Sequence, residues 1–134
     1  MTRINVVPVT SLSGPHLVAE YRELPRVFGL AYKASQSNKP WTNKQPKAYT
    51  LGTGHVLFFY DKLGYLADRH KQLVLEMLAR GFKPTYTASL AELWGDVPKG
   101  YWKGYTVTLE ALEINQARIL SRNLAIDERN KGRV

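Results

Sequence analysis

The stretch HLVAEYRELPRVFGLAYKASQ, residues 16–36, decides how the chain folds. Its apolar side chains recur at the three- and four-residue spacing that places them on one stripe of an α-helix. The stripe consists of Leu17, Tyr21, Leu24, Phe28 and Ala31. Ser13 and Pro15 come just before it and suit an N-cap and a first helical turn. We predict a helix over residues 16–36, kinked near Tyr21–Arg22 because Pro25 lies inside the pattern.

A second stripe of the same helix is polar and mostly cationic. It consists of His16, Glu23, Arg26 and Lys33, with Arg22 at its edge. Glu23 is one of only two carboxylates in residues 1–50, and the cations beside it favour its ionised form. Two interpretations remain open. Glu23 either forms an ordinary surface pair with Arg26, or it stabilises a developing positive charge or transfers protons.

Two further helices are expected. One runs over residues 55–80, and Gly81 is placed to end it in the left-handed conformation. Its core stripe consists of Phe59, Leu63, Leu66, Leu73 and Met77. The other runs over residues 109–124, where Arg118 and Arg122 share a face. The side chains available for its packing are Leu109, Leu112 or Glu113, Ala117, Leu120 and Leu124.

The remainder of the chain indicates loops. Residues 6–9 form the only strand-like run, and it is too short to found a sheet. We therefore predict an all-α fold: a compact single domain over residues 1–134, with about three main helices, an extended N-terminal segment and long loops.

Composition narrows the cellular setting. The chain contains no cysteine, which excludes disulfide scaffolds, thiol catalysis and cysteine-based zinc sites. No apolar stretch approaches the length of a membrane span, and no apolar segment near the N-terminus resembles a secretory signal. We expect a protein of the reducing cytoplasm, or of the host cell cytoplasm if it is viral, with no membrane partner.

The charge balance indicates a polyanionic partner. Nineteen Lys and Arg residues against eleven Asp and Glu leave a net charge of +8, with a pI near 9.8. The excess is concentrated in residues 1–50, which hold seven basic side chains and two acidic ones. A pI above about 9 in one domain is typical of nucleic-acid binding.

Common cofactor and hydrolase motifs are missing from the sequence. There is no GxxxxGK[ST], HExxH or GxSxG motif, and the three histidines are scattered. We therefore expect neither a cofactor nor a metal.

The second residue offers a different source of reactivity. Thr2 is small, so removal of Met1 is permitted and would leave Thr2 with a free α-amine. Such an amine has an ordinary pKa of about 7.7–8.0, so part of it is unprotonated at neutral pH without burial. N-terminal amines attack carbonyl-like carbons and form imines. The alternative interpretation is a small second residue that has no chemical role.

Several stretches resemble one family closely. They are MTRIN at 1–5, HLVAEYRELPRVFG at 16–29, GHVLFFYDKL at 54–63, RGF at 80–82 and QAR at 116–118. Together they resemble the pyrimidine-dimer DNA glycosylase and abasic-site lyase family, the phage ultraviolet-damage endonuclease V enzymes. The resemblance extends in register over residues 1 to about 125. It implies a compact all-α fold and a bifunctional base-excision repair enzyme that needs no cofactor.

The resemblance also implies roles for two catalytic residues. Thr2 corresponds to the nucleophile, whose α-amine attacks the anomeric carbon of the damaged nucleotide, expels the base and forms an imine. Glu23 corresponds to the carboxylate that supports the oxocarbenium-like transition state and then assists the β-elimination that cuts the strand.

The same resemblance implies the partner and its contacts. The partner is damaged double-stranded DNA, bound by a monomer that kinks the duplex and flips out a base opposite the lesion. Arg22 and Arg26 correspond to residues that bind phosphates around the lesion and hold Glu23 in place. The remaining DNA-binding positions are Arg3, His16, Arg118 and Arg122, together with Lys33 at the end of the cationic stripe.

The chain departs from the family pattern in three places. Pro15 stands where a polar DNA-contacting residue is expected, and Thr85 stands where a basic residue is expected, with Lys83 nearby. The C-terminal tail, residues 127–134, is cationic rather than aromatic. Two alternatives to a dimer glycosylase therefore remain: the same lyase chemistry on abasic sites or ring-opened purines, or a non-catalytic basic DNA-binding protein.

Overall fold

The computed structural model describes the backbone of residues 2–131 and the side chains of residues 2–125. In this part of the chain, five α-helices follow one another. They are α1 (Gly14–Glu23), α2 (Pro25–Gln36), α3 (Leu63–Ala79), α4 (Leu90–Leu93) and α5 (Leu109–Lys131). Single turns of 3-10 helix lie at Val9–Ser11, Thr42–Lys44, Leu57–Phe59 and Lys99–Tyr101. The described residues form no strand beyond an isolated bridge between Lys62 and Trp102, which confirms the all-α prediction. None of the described helices is both long and apolar enough to cross a membrane.

The first predicted helix is divided in two. Ser13 caps it as expected, because its hydroxyl accepts a hydrogen bond from the His16 N–H (3.4 Å). The interruption falls at Leu24, rather than as a kink near Tyr21–Arg22. Pro25 carries no N–H, so the helical hydrogen-bond ladder stops there and α2 begins with that residue. The predicted core stripe is confirmed, since Leu17, Tyr21, Leu24, Phe28 and Ala31 are all buried.

The second predicted helix begins at Leu63 rather than at His55. A neighbouring stretch of chain accounts for the difference. The Tyr65 N–H donates to the Lys103 carbonyl (3.3 Å), and the Lys103 N–H donates to the Asp61 carbonyl (3.1 Å). In a continuous helix the Tyr65 N–H would itself donate to the Asp61 carbonyl. The neighbouring stretch therefore intercepts this bond and delays the start of α3.

Two glycines fix the ends of α3. A Cβ atom on Gly64 would lie 2.7 Å from the carbonyl oxygen of Trp102, so the close approach at the start of α3 requires glycine. At the other end Gly81 has φ +84°, and the Phe82 N–H donates to the Met77 carbonyl (2.8 Å). This is the left-handed helix end that the sequence predicts.

The side chains predicted to pack α5 are confirmed only in part, because Leu112 packs against the core and the others are exposed. Leu109, Leu120 and Leu124 are 71%, 60% and 55% exposed, respectively. The face that turns inward instead carries Ala111 and Asn115, which are both buried. Asn115 faces the N-terminal segment, where its side-chain oxygen accepts hydrogen bonds from the Val6 and Val7 N–H groups. The side chains of the C-terminal tail, which the sequence analysis singled out, lie outside the described residues.

A buried polar network joins the N-terminal segment to three helices. Arg69 of α3 forms a buried ion pair with Glu20 of α1 and also donates to the Val7 carbonyl (2.8 Å). Glu20 accepts a further hydrogen bond from the Asn5 side chain (2.9 Å). The Asn115 side-chain oxygen of α5 accepts from the N–H groups of Val6 and Val7 (2.6 and 3.1 Å). Extended chain without a strand partner is thereby held by side chains alone.

We predict that Arg69→Met lowers the free energy of unfolding by about 3–5 kcal/mol, because it leaves the Glu20 carboxylate, 1% exposed, without its charge partner. Urea unfolding at neutral pH measures this change. Lys103→Met removes a cation that is 67% exposed and 3.9 Å from Asp61, so this control should cost less than about 1 kcal/mol. Equal losses in the two variants would contradict the prediction.

Candidate functional site

The N-terminal segment is held at its first described residues by side chains from two directions. The Arg3 N–H donates to a carboxylate oxygen of Glu23 at the end of α1 (3.1 Å). The next peptide N–H, that of Ile4, donates to Nε2 of His55 (2.9 Å), and the Ile4 carbonyl accepts from the Tyr49 hydroxyl (2.9 Å). Thr2 therefore lies directly before a residue whose backbone is bonded to Glu23.

A polar cleft of about 260 Å³ lies between this segment, α1 and α5. Its lining residues are Arg3, Asn5, His16, Ala19, Glu23, Arg118, Ile119 and Arg122. Four of the eight are His or Arg side chains and one is a carboxylate. The cleft is therefore suited to a substrate that carries several negative charges around one reacting centre.

A larger groove of about 780 Å³ continues on the other side of Arg3 and Arg118, which line both cavities. Thr2 lies in this groove, opposite Lys44 and the glycine-containing loop at residues 52–54. Thr2 and Glu23 thus belong to neighbouring cavities that share two arginines. An extended chain of phosphates can pass from one cavity to the other along these cations.

The electrostatics of the cleft reflect its excess of positive charge. Partial burial lowers the pKa of His16, and the nearby Arg122 and Arg3 guanidinium groups lower it further. Partial burial and Arg122 also lower the pKa of Arg3, an effect that Glu23 opposes. Burial and the two guanidinium groups therefore favour the neutral form of the His16 imidazole.

Six of the nine residues that the sequence analysis selected come together here. They are Thr2, Arg3, His16, Glu23, Arg118 and Arg122. Arg22, Arg26 and Lys33 are exposed on α1 and α2 and line neither cavity. Among the described side chains, no ion pair within 4.0 Å joins Glu23 to Arg22 or Arg26. The surface-pair interpretation of Glu23 is therefore wrong, and the group that bonds to Glu23 is the backbone of Arg3.

Several residues that build the site were not selected from the sequence. They are Asn5, Glu20, Tyr49, His55, Arg69 and Asn115. For two of these residues, Glu20 and Arg69, the helical periodicity of the sequence does give a signal. Glu20 lies three residues after Leu17, and Arg69 lies three residues after Leu66, so both occupy positions in the core stripes. Opposite charges at core positions of two helices indicate a buried ion pair.

A separate apolar cavity of about 390 Å³ lies where α1 meets α2. The Tyr21 ring stacks on His70 of α3, with centroids 5.6 Å apart and planes 15° from parallel. Nε2 of His70 is buried and has no hydrogen-bond partner within the described part of the chain. Pro25 and Trp94 also line this cavity, and Arg22 and Lys83 add two cations. It is an aromatic cavity with cations among its walls.

Residues 1–90 match the family model described as pyrimidine dimer DNA glycosylase. The chain belongs to this family. It is accordingly an enzyme of DNA repair, a DNA glycosylase, and its partner is damaged DNA. The match includes the N-terminal segment, α1, α2 and α3, and therefore Thr2, Arg3, His16 and Glu23.

The polar cleft also includes residues beyond the matched range. Arg118 and Arg122 come from α5 and complete the cationic wall opposite His16. In the part of the chain with described side chains, no cluster of three or more His, Asp or Glu residues is arranged to hold a metal ion. What the cleft offers to chemistry is therefore a carboxylate, arginines, an imidazole and the adjoining Thr2.

We predict that Arg122→Gln raises the pKa of His16 towards its ordinary value, because the substitution removes a cation that disfavours the protonated imidazole. An NMR titration of the imidazole resonances measures the change. Lys33→Gln removes an exposed cation outside the cleft and should leave the His16 pKa where it is. A fall in the pKa of His16 on Arg122→Gln would contradict this account of the cleft.

Proposed function

We propose that this glycosylase acts on cyclobutane pyrimidine dimers in double-stranded DNA and also cleaves the resulting abasic site, with the α-amine of Thr2 as its nucleophile. The observation that carries the proposal is the hydrogen bond from the Arg3 N–H to Glu23. It ties the carboxylate to the residue that follows Thr2, so the amine and Glu23 are held to one short piece of backbone.

The amine attacks C1′ of the damaged nucleotide, and the bond from C1′ to the base breaks. The base leaves with the bonding electrons and takes up a proton. The ring oxygen then leaves C1′ and is protonated as the imine with Thr2 forms. Ionised Glu23 stabilises the positive charge that develops on the sugar during these steps.

The imine makes the neighbouring C2′ proton acidic, so a weak base is sufficient to remove it. Glu23 accepts that proton in the proposal, and the 3′ phosphate leaves with the electrons of its C–O bond. Water then hydrolyses the imine and frees the amine. This chemistry is consistent with a cleft whose only described carboxylate is Glu23.

The cations supply the DNA contacts. Arg3, Arg118 and Arg122 surround Glu23 and are suited to the phosphates next to the lesion. Arg26 and Lys33 lie outside the cleft, where they can contact phosphates farther along the duplex, and Arg22 lies beside the aromatic cavity. We treat residues 1–134 as one catalytic domain that works as a monomer in the cytoplasm.

The aromatic cavity suits the base that is flipped out opposite the lesion. Its volume of about 390 Å³ falls within the range of small-molecule sites, about 300–1,000 Å³. The stacked Tyr21 and His70 rings offer a flat wall, and the unpaired Nε2 of His70 offers a polar partner. Arg22 lines the cavity and can bind the phosphate of the extruded nucleotide.

Borohydride trapping tests the chemistry. Enzyme with a verified Thr2 N-terminus is mixed with ultraviolet-irradiated duplex or with an abasic duplex, and borohydride reduces any imine to a stable adduct. Adducts on both, with one chain per duplex, are expected. Adducts on the abasic duplex alone would keep the lyase and replace dimers by other lesions. No adduct on either would leave a DNA-binding protein without this chemistry.

We predict that Glu23→Gln lowers the rate of strand cleavage by about 10²- to 10⁴-fold, the range for loss of a positioned acid or base. Lesion binding should stay within about tenfold, because the amide still accepts the Arg3 N–H. Gel assays of cleavage and of binding measure the two effects. Glu113→Gln, an exposed carboxylate on α5, is the matched control. Loss of binding together with cleavage would mean that Glu23 is structural.

We predict that Ala88→Trp, which fills the aromatic cavity, prevents the opposite base from leaving the duplex. The probe is a duplex with 2-aminopurine opposite an uncleavable abasic analogue. Its fluorescence should rise several-fold when the unaltered enzyme unstacks the base, and should not rise with the variant. Ala117→Trp, on an exposed part of α5 away from the cavity, is the control. An equal rise with both variants would show that the base goes elsewhere.

A further inference from the structure

The backbone N–H and the backbone C=O of Ile4, which belong to successive peptide groups, are both held by side chains of the loop between α2 and α3. His55 Nε2 accepts the Ile4 N–H at 2.9 Å, and the Tyr49 hydroxyl donates to the Ile4 carbonyl at 2.9 Å. All three residues are buried, with His55 5% exposed. Water therefore cannot replace either side chain without opening the loop.

The second ring nitrogen of His55 fixes the tautomer. Nδ1 lies 2.7 Å from the Thr50 carbonyl, which can only accept a hydrogen bond. Nδ1 therefore carries the proton, and Nε2 is free to accept the Ile4 N–H. A protonated imidazole would present N–H groups on both sides, and one of them would point at the Ile4 N–H. The contact requires neutral His55.

The neighbouring residues connect this contact to the catalytic groups. Ile4 follows Arg3, whose N–H donates to Glu23, and Arg3 follows Thr2. A displacement of the Ile4 peptide is therefore passed within two residues to the bond with Glu23 and to the amine. Thr2 and His55 also line the same groove.

We infer that His55 is a positioning residue for the nucleophile: its neutral imidazole keeps the α-amine of Thr2 in register with Glu23, and its protonation releases the segment. The inference rests on the proposed role of Thr2. His55 would then contribute to the reaction although it lines the groove and not the cleft that contains Glu23.

The surroundings of His55 favour the neutral ring. Burial lowers the pKa of His55, the Thr50 carbonyl opposes this effect, and Arg3 adds to it. The titratable side chain packed against the ring is Tyr49, whose pKa is raised, chiefly by burial, so that its hydroxyl stays a donor. The other titratable and charged groups of the groove are Lys44, Tyr60 and Arg118. Phe59 closes the other side. Protonation of His55 is therefore expected below its ordinary pKa of about 6.5.

Two substitutions test the two hydrogen bonds of the His55 ring one at a time. His55→Gln places an amide oxygen near the position of Nε2 and keeps an acceptor for the Ile4 N–H. His55→Asn reaches only to the position of Nδ1 and keeps the contact with Thr50 alone. If positioning is the role of His55, then Gln restores function and Asn does not. Thermal unfolding of both variants reports whether they fold.

The test is the rate of borohydride trapping on an abasic duplex between pH 5 and pH 8. Below a pKa of about 7.7–8.0 the amine loses one proton per reaction, so the logarithm of the rate rises with pH at a slope of about one. Below the pKa of His55, which burial lowers from its ordinary value, the unaltered enzyme should show a slope of about two, because His55 must also be deprotonated. His55→Gln should keep a slope of about one throughout and stay within about threefold of the unaltered rate at pH 8. His55→Asn should be at least about tenfold slower at pH 8. His16→Gln removes the other imidazole of the site and should keep the steeper slope.

NMR of the unaltered protein gives a readout that does not depend on catalysis. We expect Nδ1 of His55 to be protonated at pH 7, and the Ile4 amide to lose its protection from exchange as the imidazole titrates. A protected Ile4 amide after His55 is protonated would overturn the inference, as would a slope of two in His55→Gln. If the unaltered enzyme forms no imine at any pH, the proposed function fails by itself, and the NMR titration still decides whether His55 holds the segment.

Discussion

The structure depends on one constraint: the N-terminal segment is largely buried, yet among the described residues no strand lies beside it to satisfy its backbone. Buried N–H and C=O groups without partners are costly, so side chains must supply every bond. Glu23, His55 and Asn115 accept from the segment, and Tyr49 and Arg69 donate to it. Polar side chains thus reach the backbone of the segment, while the side chains of Ile4, Val6 and Val7 belong to the apolar core.

These hydrogen bonds position the N-terminal segment as precisely as a helix or a strand would be positioned. A terminal amine is ordinarily the most mobile group of a protein. Here α1, α3, α5 and the loop between α2 and α3 each contribute a group that fixes residues 3–7. The buried pair of Glu20 and Arg69 adds specificity rather than a large net stabilisation, because desolvation of two charges offsets much of their attraction. The fold thus uses part of its core to position the segment that follows Thr2.

The sequence predicted the features that follow from local periodicity and missed those that depend on contacts between residues far apart in the chain. The apolar stripes of the first two helices and the left-handed end at Gly81 follow from local periodicity and glycine chemistry, and all are confirmed. Leu63 as the start of α3 was missed because Lys103, far along the chain, intercepts a helical bond. The burial of Asn115 on α5 was missed because it depends on hydrogen bonds to the distant Val6 and Val7 N–H groups, which helical periodicity does not indicate. The chemistry of Thr2 and Glu23 made them candidates, but the choice between their alternative interpretations and the roles of the arginines came from family resemblance. Periodicity alone could not have separated Arg22 from Arg118.

The bonds between Asn115 and residues 6–7 span 109 and 108 positions of sequence. Contacts of such separation form late in folding, and during synthesis the acceptor does not exist until residue 115 has been translated. The bonds from Arg3 to Glu23 and from Asn5 to Glu20 span only 20 and 15 positions. The N-terminal segment can therefore be fastened in stages, first to α1 and only at the end to α5.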